Sequence, residues 1–186
     1  ISDEIAKGQH PGITVEPIPP SDVEVEQRLN DWSPHVVHFY CHGIVALGTG
    51  TLELATINEQ ALGKPGSVLI NVDTLVNAEG LRDSWLVVLN CCQGGQSVEQ
   101  LHSMAYSVVA KGGVPAAIGM LEPVTADDAN AFCGSIYPEI FRTLRAASQL
   151  PPGAAPLLLN LSATIGAPRR TLYTRHAAVP ANSSRW

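Results

Sequence analysis

Two stretches decide the fold: His35-Val36-Val37-His38-Phe39-Tyr40-Cys41, closed by His42-Gly43, and Trp85-Leu86-Val87-Val88-Leu89-Asn90-Cys91, closed by Cys92-Gln93-Gly94-Gly95. Both are dense in β-branched, aliphatic and aromatic residues without strict alternation. That pattern predicts strands covered on both faces. A third apolar run, Val114 to Met120, follows the helix stop Gly112-Gly113. Strands of this kind belong to a mostly parallel sheet with helices on both sides, an α/β fold.

The segments between the strands supply the helices. Ser21-Asp22-Val23-Glu24 is a capping box and predicts a helix to about Asp31. Asp73 is placed to cap a short helix through Leu81. Ser97 to Lys111 carries Val98, Leu101, Ala105 and Val108 at helical spacing. Thr125-Ala126-Asp127-Asp128 opens a long helix with Ala129, Phe132, Ile136, Ile140 and Leu144 on one face and Pro138 as a kink point. From Ile44 to Gly66 the glycines predict loop material around one edge strand, Thr51 to Ala55. Past the Pro/Ala/Gly linker Leu150 to Pro156, the pattern reads as a short helix over Leu157 to Ile165, a last strand at Thr171-Leu172-Tyr173, and a disordered tail over 177–186. The reading is one domain over 1–176.

With 186 residues, 45% hydrophobic and 15% charged, the chain is long enough and apolar enough to bury a core. A net charge of −6 with 11 basic residues argues against nucleic-acid binding, which needs clustered Lys and Arg. No apolar run reaches bilayer length and the first residues lack a signal-peptide pattern, so a cytoplasmic protein is expected, with no membrane partner. Four cysteines, two of them adjacent at Cys91 and Cys92, do not form a disulfide framework and read as free thiols.

Functional loops of parallel sheets lie at the carboxyl ends of strands. His42 and Cys92 both fall there, 50 residues apart in sequence, and neighbouring parallel strands would bring them together. A thiolate nucleophile at neutral pH needs a base or a positive neighbour, and imidazole has the right basicity. Glycine lets backbone amides approach an attacked carbonyl oxygen, which makes the Gly43 and Cys92 amides the candidate oxyanion site. Cys91 competes with Cys92 for the nucleophile role. Adjacent strand residues face opposite sides, so only one of the pair can meet the histidine.

The set of motifs resembles the CHAT peptidases, bacterial relatives of caspases and separase. It comprises Val36 to Gly43, Leu86 to Gly95, Gly112-Gly113-Val114-Pro115-Ala116-Ala117-Ile118-Gly119-Met120, Pro123-Val124-Thr125 and the helix with Phe132 and Tyr137. The resemblance covers roughly residues 30 to 142, with an echo of a closing strand at Leu172-Tyr173. It implies a caspase-like three-layer sandwich, a cysteine endopeptidase without a required third catalytic member, and no cofactor. It also implies protein or peptide substrates and control by an upstream sensor or repeat module. By motif position the dyad is His42 and Cys92. The family pattern includes further strands ahead of the His-Gly strand, of which little is present here. Many relatives bind a basic P1 residue through an acid near the start of the helix after the third strand. Ala126 stands at that place, with Asp127, Asp128 and Glu122 nearby as candidate substrate-binding residues.

Simpler readings compete with each of these. A histidine after a strand is commonly structural and a buried cysteine is commonly packing, which is the expectation for His35, His102, His176, Cys41 and Cys133. Asp127 and Asp128 also suit the positive end of a helix dipole. His38 and His42 are four strand positions apart, about 13 Å, so no zinc site is expected. The rival functional class is a caspase-like interaction module in which the dyad is present but inactive.

Overall fold

The structure is a computed structural model; it describes residues 12–16, 22–46, 49–55, 67–92, 98–120, 125–155 and 160–177. Their contacts gather into two compact units, one drawn from Pro17–Thr125 and one from Ile1–Glu16 with Ala126–Trp186.

The first unit is an α/β layer built on the two decisive stretches. They form β1 (Val36–Ala46) and β4 (Leu86–Cys92) and pair in parallel from Val36 with Leu86 to His42 with Cys92. β1 does not stop at Gly43. It continues to Ala46 and pairs antiparallel with β2 (Thr49–Ala55), which pairs antiparallel with β3 (Ser67–Asn71). β5 (Ala117–Gly119) joins β4 in parallel, giving the order β3-β2-β1-β4-β5. The sheet is thus mixed, parallel from β1 through β5 and antiparallel toward β3.

Three expectations change here. Thr51–Ala55 is interior between β1 and β3, not an edge strand. The edge is β3, a five-residue run whose polar ends, Ser67 and Asn71, and preceding Pro65-Gly66 gave a loop-like sequence pattern. The third strand is trimmed to Ala117–Gly119, because Gly113 takes a positive φ of 72° and Pro115 has no amide to donate.

Helices α1 (Asp22–Trp32), α2 (Val72–Leu75), α3 (Glu79–Arg82) and α4 (Val98–Ala110) flank this sheet. One core joins Val25 and Leu29 of α1 and Met104 and Val108 of α4 to Val37, Phe39, Leu52, Ile70, Val87, Leu89 and Cys91 on one sheet face. On the opposite face Leu86, Val88 and Asn90 are also buried, at 1% exposure or less. β4 is therefore covered on both sides, as its unbroken apolar run predicts. The expected Asp73 cap is corrected: Asn71 caps α2, its side chain accepting the Asp73 amide at 2.7 Å. The segment through Leu81 is two single turns, not one helix.

α3 meets α1 at a point of close approach. The Gly80 amide donates to the Asn30 carboxamide oxygen at 3.0 Å. A side chain at Gly80 would run into the Leu29 carbonyl. Glycine is needed there for contact, not for an unusual φ.

The second unit contains α5 (Ala126–Ser148) and α6 (Leu161–Ala177). α5 runs on through Pro138, with Ala129, Phe132, Ile136, Tyr137 and Ile140 buried. Asn160 starts α6, its side chain accepting the Ala163 amide at 3.1 Å. The helix then continues to Ala177, so the expected strand at Thr171-Leu172-Tyr173 is helical. Thr171 and Thr174 return their hydroxyls to the carbonyls of Ala167 and Arg170, at 3.2 and 3.0 Å, which satisfies these β-prone residues inside a helix. Arg175 near the end of α6 pairs with Asp128 in the first turn of α5, so the two helices run antiparallel. The tail over 178–186 lies outside the described residues. Among the described residues, no helix is long and apolar enough to cross a membrane.

Candidate active site

His42 sits where β1 changes partners. It is the last residue of β1 paired with β4, opposite Cys92, and the first paired with β2, opposite Glu53. Strands in a sheet lie about 4.8 Å apart. Positions 92, 42 and 53 therefore form a row across three adjacent strands, and the His42 side chain is exposed.

Of the two adjacent cysteines, only the Cys91 side chain is among those the structure describes. Its side chain is 1% exposed and belongs to the core, with its sulfur 3.6 Å from that of Cys41, its register partner. Cys91 is therefore committed to the face away from His42. Position 92, one residue on, belongs by strand alternation to the face of His42. Residues 93–97, which include Gly94 and Gly95, lie outside the described residues.

Gly43, one of the two candidate oxyanion donors, is buried and paired with Leu52. It lies inside a continuous ladder rather than at a strand end. Asp127 is exposed in the first turn of α5. Asp128 is only 7% exposed and already faces a cation, Arg175, with 3.5 Å between Nε and Oδ1. Glu122 lies outside the described residues.

Two histidines on one strand have opposite characters. His42 is exposed, whereas burial lowers the pKa of His38 from 6.5 to about 4, so its imidazole is neutral at physiological pH. Between them on the same face is Tyr40, 50% exposed. In the helical unit, burial pushes the Tyr137 phenol up, with a further contribution from Cys133.

Glu53 was not singled out by the sequence. Its one local signal is the alternation Thr51-Leu52-Glu53-Leu54, which assigns it to the polar side of a strand. Only the register places it beside a histidine.

Comparison with known proteins adds one finding. The model of the CHAT domain family matches residues 9–151, well over half of the chain and past the motif-bearing stretch at both ends. No curated protein and no solved structure matches.

Proposed function

The chain belongs to the CHAT domain family, a caspase-like, protease-related family, and from that we propose that it is a cysteine endopeptidase with His42 and Cys92 as its dyad. The observation that carries this reading is the pairing of His42 with Cys92 as the terminal pair of β1 and β4. A second support is the burial of Cys91 against Cys41, which leaves Cys92 as the cysteine of the pair available to the histidine.

In the proposed reaction, His42 takes the Cys92 thiol proton and the thiolate attacks the scissile carbonyl. The Gly43 and Cys92 amides hold the oxyanion that forms. The imidazolium then protonates the departing amine, leaving an acyl-enzyme. Water, deprotonated by His42, releases the acid product and restores the thiol. No cofactor takes part. The substrates are proteins or peptides, and control by a sensor or repeat module in a longer chain, within the cytoplasm, belongs to the same proposal.

Thiol labelling tests the dyad without knowledge of the substrate. At neutral pH a haloacetamide should modify Cys92 faster than Cys41, Cys91 or Cys133, and His42→Ala should slow Cys92 alone. Equal slow labelling of all four, unaffected by His42→Ala, would defeat the reading.

A further inference from the structure

Across the five strands, among the described residues, there is one acidic side chain, Glu53. It lies opposite His42 in the β1–β2 ladder, on the side away from Cys92. A glutamate in an interior strand goes against composition, since Glu is depleted from strands and β2 has neighbours on both sides. Its carboxylate is also held in place. The Ser67 hydroxyl of β3 donates to Oε1 at 2.8 Å. A carboxylate accepts at both oxygens, so this bond leaves acceptor capacity.

Directly opposed residues of an antiparallel pair have Cβ atoms about 5 Å apart, and their side chains stand on the same face. A glutamate spans the remaining gap to a histidine ring nitrogen through its two methylenes. His42 has a need for such a partner. An exposed imidazole rotates freely and exchanges tautomers, and a base is productive only with one nitrogen bare and turned toward the thiol. On β1 itself the other polar side chains of this face include Tyr40 and His38, and neither is a carboxylate.

We propose that Glu53 is a positioning residue for His42, its carboxylate accepting the N–H of the imidazole nitrogen turned away from Cys92. The inference rests on the dyad reading above and extends it from two members to a row of three. During catalysis the Cys92 proton moves to the near nitrogen while the far N–H stays bonded to Glu53. The carboxylate remains ionised throughout and offsets the charge of the imidazolium. Ser67 in turn holds Glu53.

The test separates this inference from the peptidase reading. In a Cys92→Ala protein, the tautomer of the neutral His42 ring is read from its ring-nitrogen NMR shifts with Glu53 present and with Glu53→Gln, which keeps the shape and the Ser67 acceptor but removes the charge. A carboxylate accepting one ring N–H holds one tautomer, so a single tautomer should dominate with Glu53 and the two should mix in Glu53→Gln. Glu53→Asp should fall between the two. If Glu53→Gln does not fold, salt added to the Cys92→Ala protein should mix the tautomers by screening the same pair. In the active protein, Glu53→Gln should lower kcat by roughly 10-fold while KM changes little. An unchanged His42 tautomer in Glu53→Gln overturns the inference whatever the activity. A changed tautomer in a protein that cleaves nothing supports the pairing and overturns the peptidase reading.

Discussion

Lowering the pH from 7 to 4.5 should unfold this protein more readily through one residue, His38. Its folded-state pKa is depressed by burial to about 4, against 6.5 for an ordinary histidine. Above pH 6.5 both folded and unfolded chains carry the ring neutral, and there is no penalty. As pH falls through 6.5 the unfolded chain takes up the proton and the folded chain refuses it. Stability then drains at about 1.4 kcal/mol per pH unit, to a total of about 3 kcal/mol near pH 4, where the folded state also protonates. Against a typical domain stability of roughly 5–15 kcal/mol this is a large fraction. Urea unfolding followed by far-UV circular dichroism, at steps from pH 7 to 4.5, measures it. Carboxylates titrate in part of the same window, so the informative quantity is the difference in slope between wild type and His38→Gln. Wild type should lose stability more steeply below pH 6.5. Parallel curves would refute the reasoning and show that His38 is not held neutral. Because β1 also carries His42, the same loss should appear as falling activity toward pH 5.

Two glycines should respond to alanine with opposite signs. At Gly80 an added Cβ meets the Leu29 carbonyl and lies 2.9 Å from Asn30 Cα, where carbon atoms pack best about 3.5–4 Å apart. Gly80→Ala should cost about 2–3 kcal/mol in urea unfolding, as α1 and α3 are forced apart. At Gly134, in α5, the added Cβ meets nothing within 4 Å, and Gly134→Ala should stabilise by about 0.5–1 kcal/mol through helix propensity. Ion pairs should divide by burial. Arg175→Ala removes a cation that faces the nearly buried Asp128 and should cost on the order of 1 kcal/mol, with faster amide exchange in α6. Arg142→Ala breaks an exposed pair with Glu139 and should change stability by less than about 0.5 kcal/mol.

The parts of the fold that were legible are those whose burial is written into unbroken composition. Leu86, Val87, Val88 and Leu89 are all at 2% exposure or less, and no polar residue interrupts them. The same holds for α5, whose apolar residues recur at helical spacing, with Ala129, Phe132, Ile136 and Ile140 buried and Leu144 partly buried. The antiparallel half of the sheet was hidden. Gly43 reads as a strand stop, yet it pairs with Leu52 in the middle of β1. β3 is five residues long with a Pro-Gly pair before it, too short for periodicity to outweigh its turn signals. At Thr171-Leu172-Tyr173 local propensity pointed to a strand, and the packing of α6 along α5 overrode it.

The candidate site was legible to the same depth. His42 and Cys92 stood out as candidates because each follows an unbroken apolar run, and the parallel register pairs their two positions. Alternation put only one of Cys91 and Cys92 on the face of His42, and the contact of Cys91 with Cys41 agrees with that; the choice of Cys92 came from the family resemblance. Glu53 was out of reach. Its place beside His42 depends on how β2 registers against β1 across the intervening turn, and no pattern in either strand fixes that offset.

The most direct measurement is cleavage of a mixed peptide library, read by mass spectrometry, with wild type, Cys92→Ala and Cys91→Ala. The account predicts cleavage by wild type and Cys91→Ala, with a readable P1 preference, and none by Cys92→Ala. Cleavage that survives Cys92→Ala would contradict it, as would an inert wild type whose full-length form, with any upstream module, is inert as well.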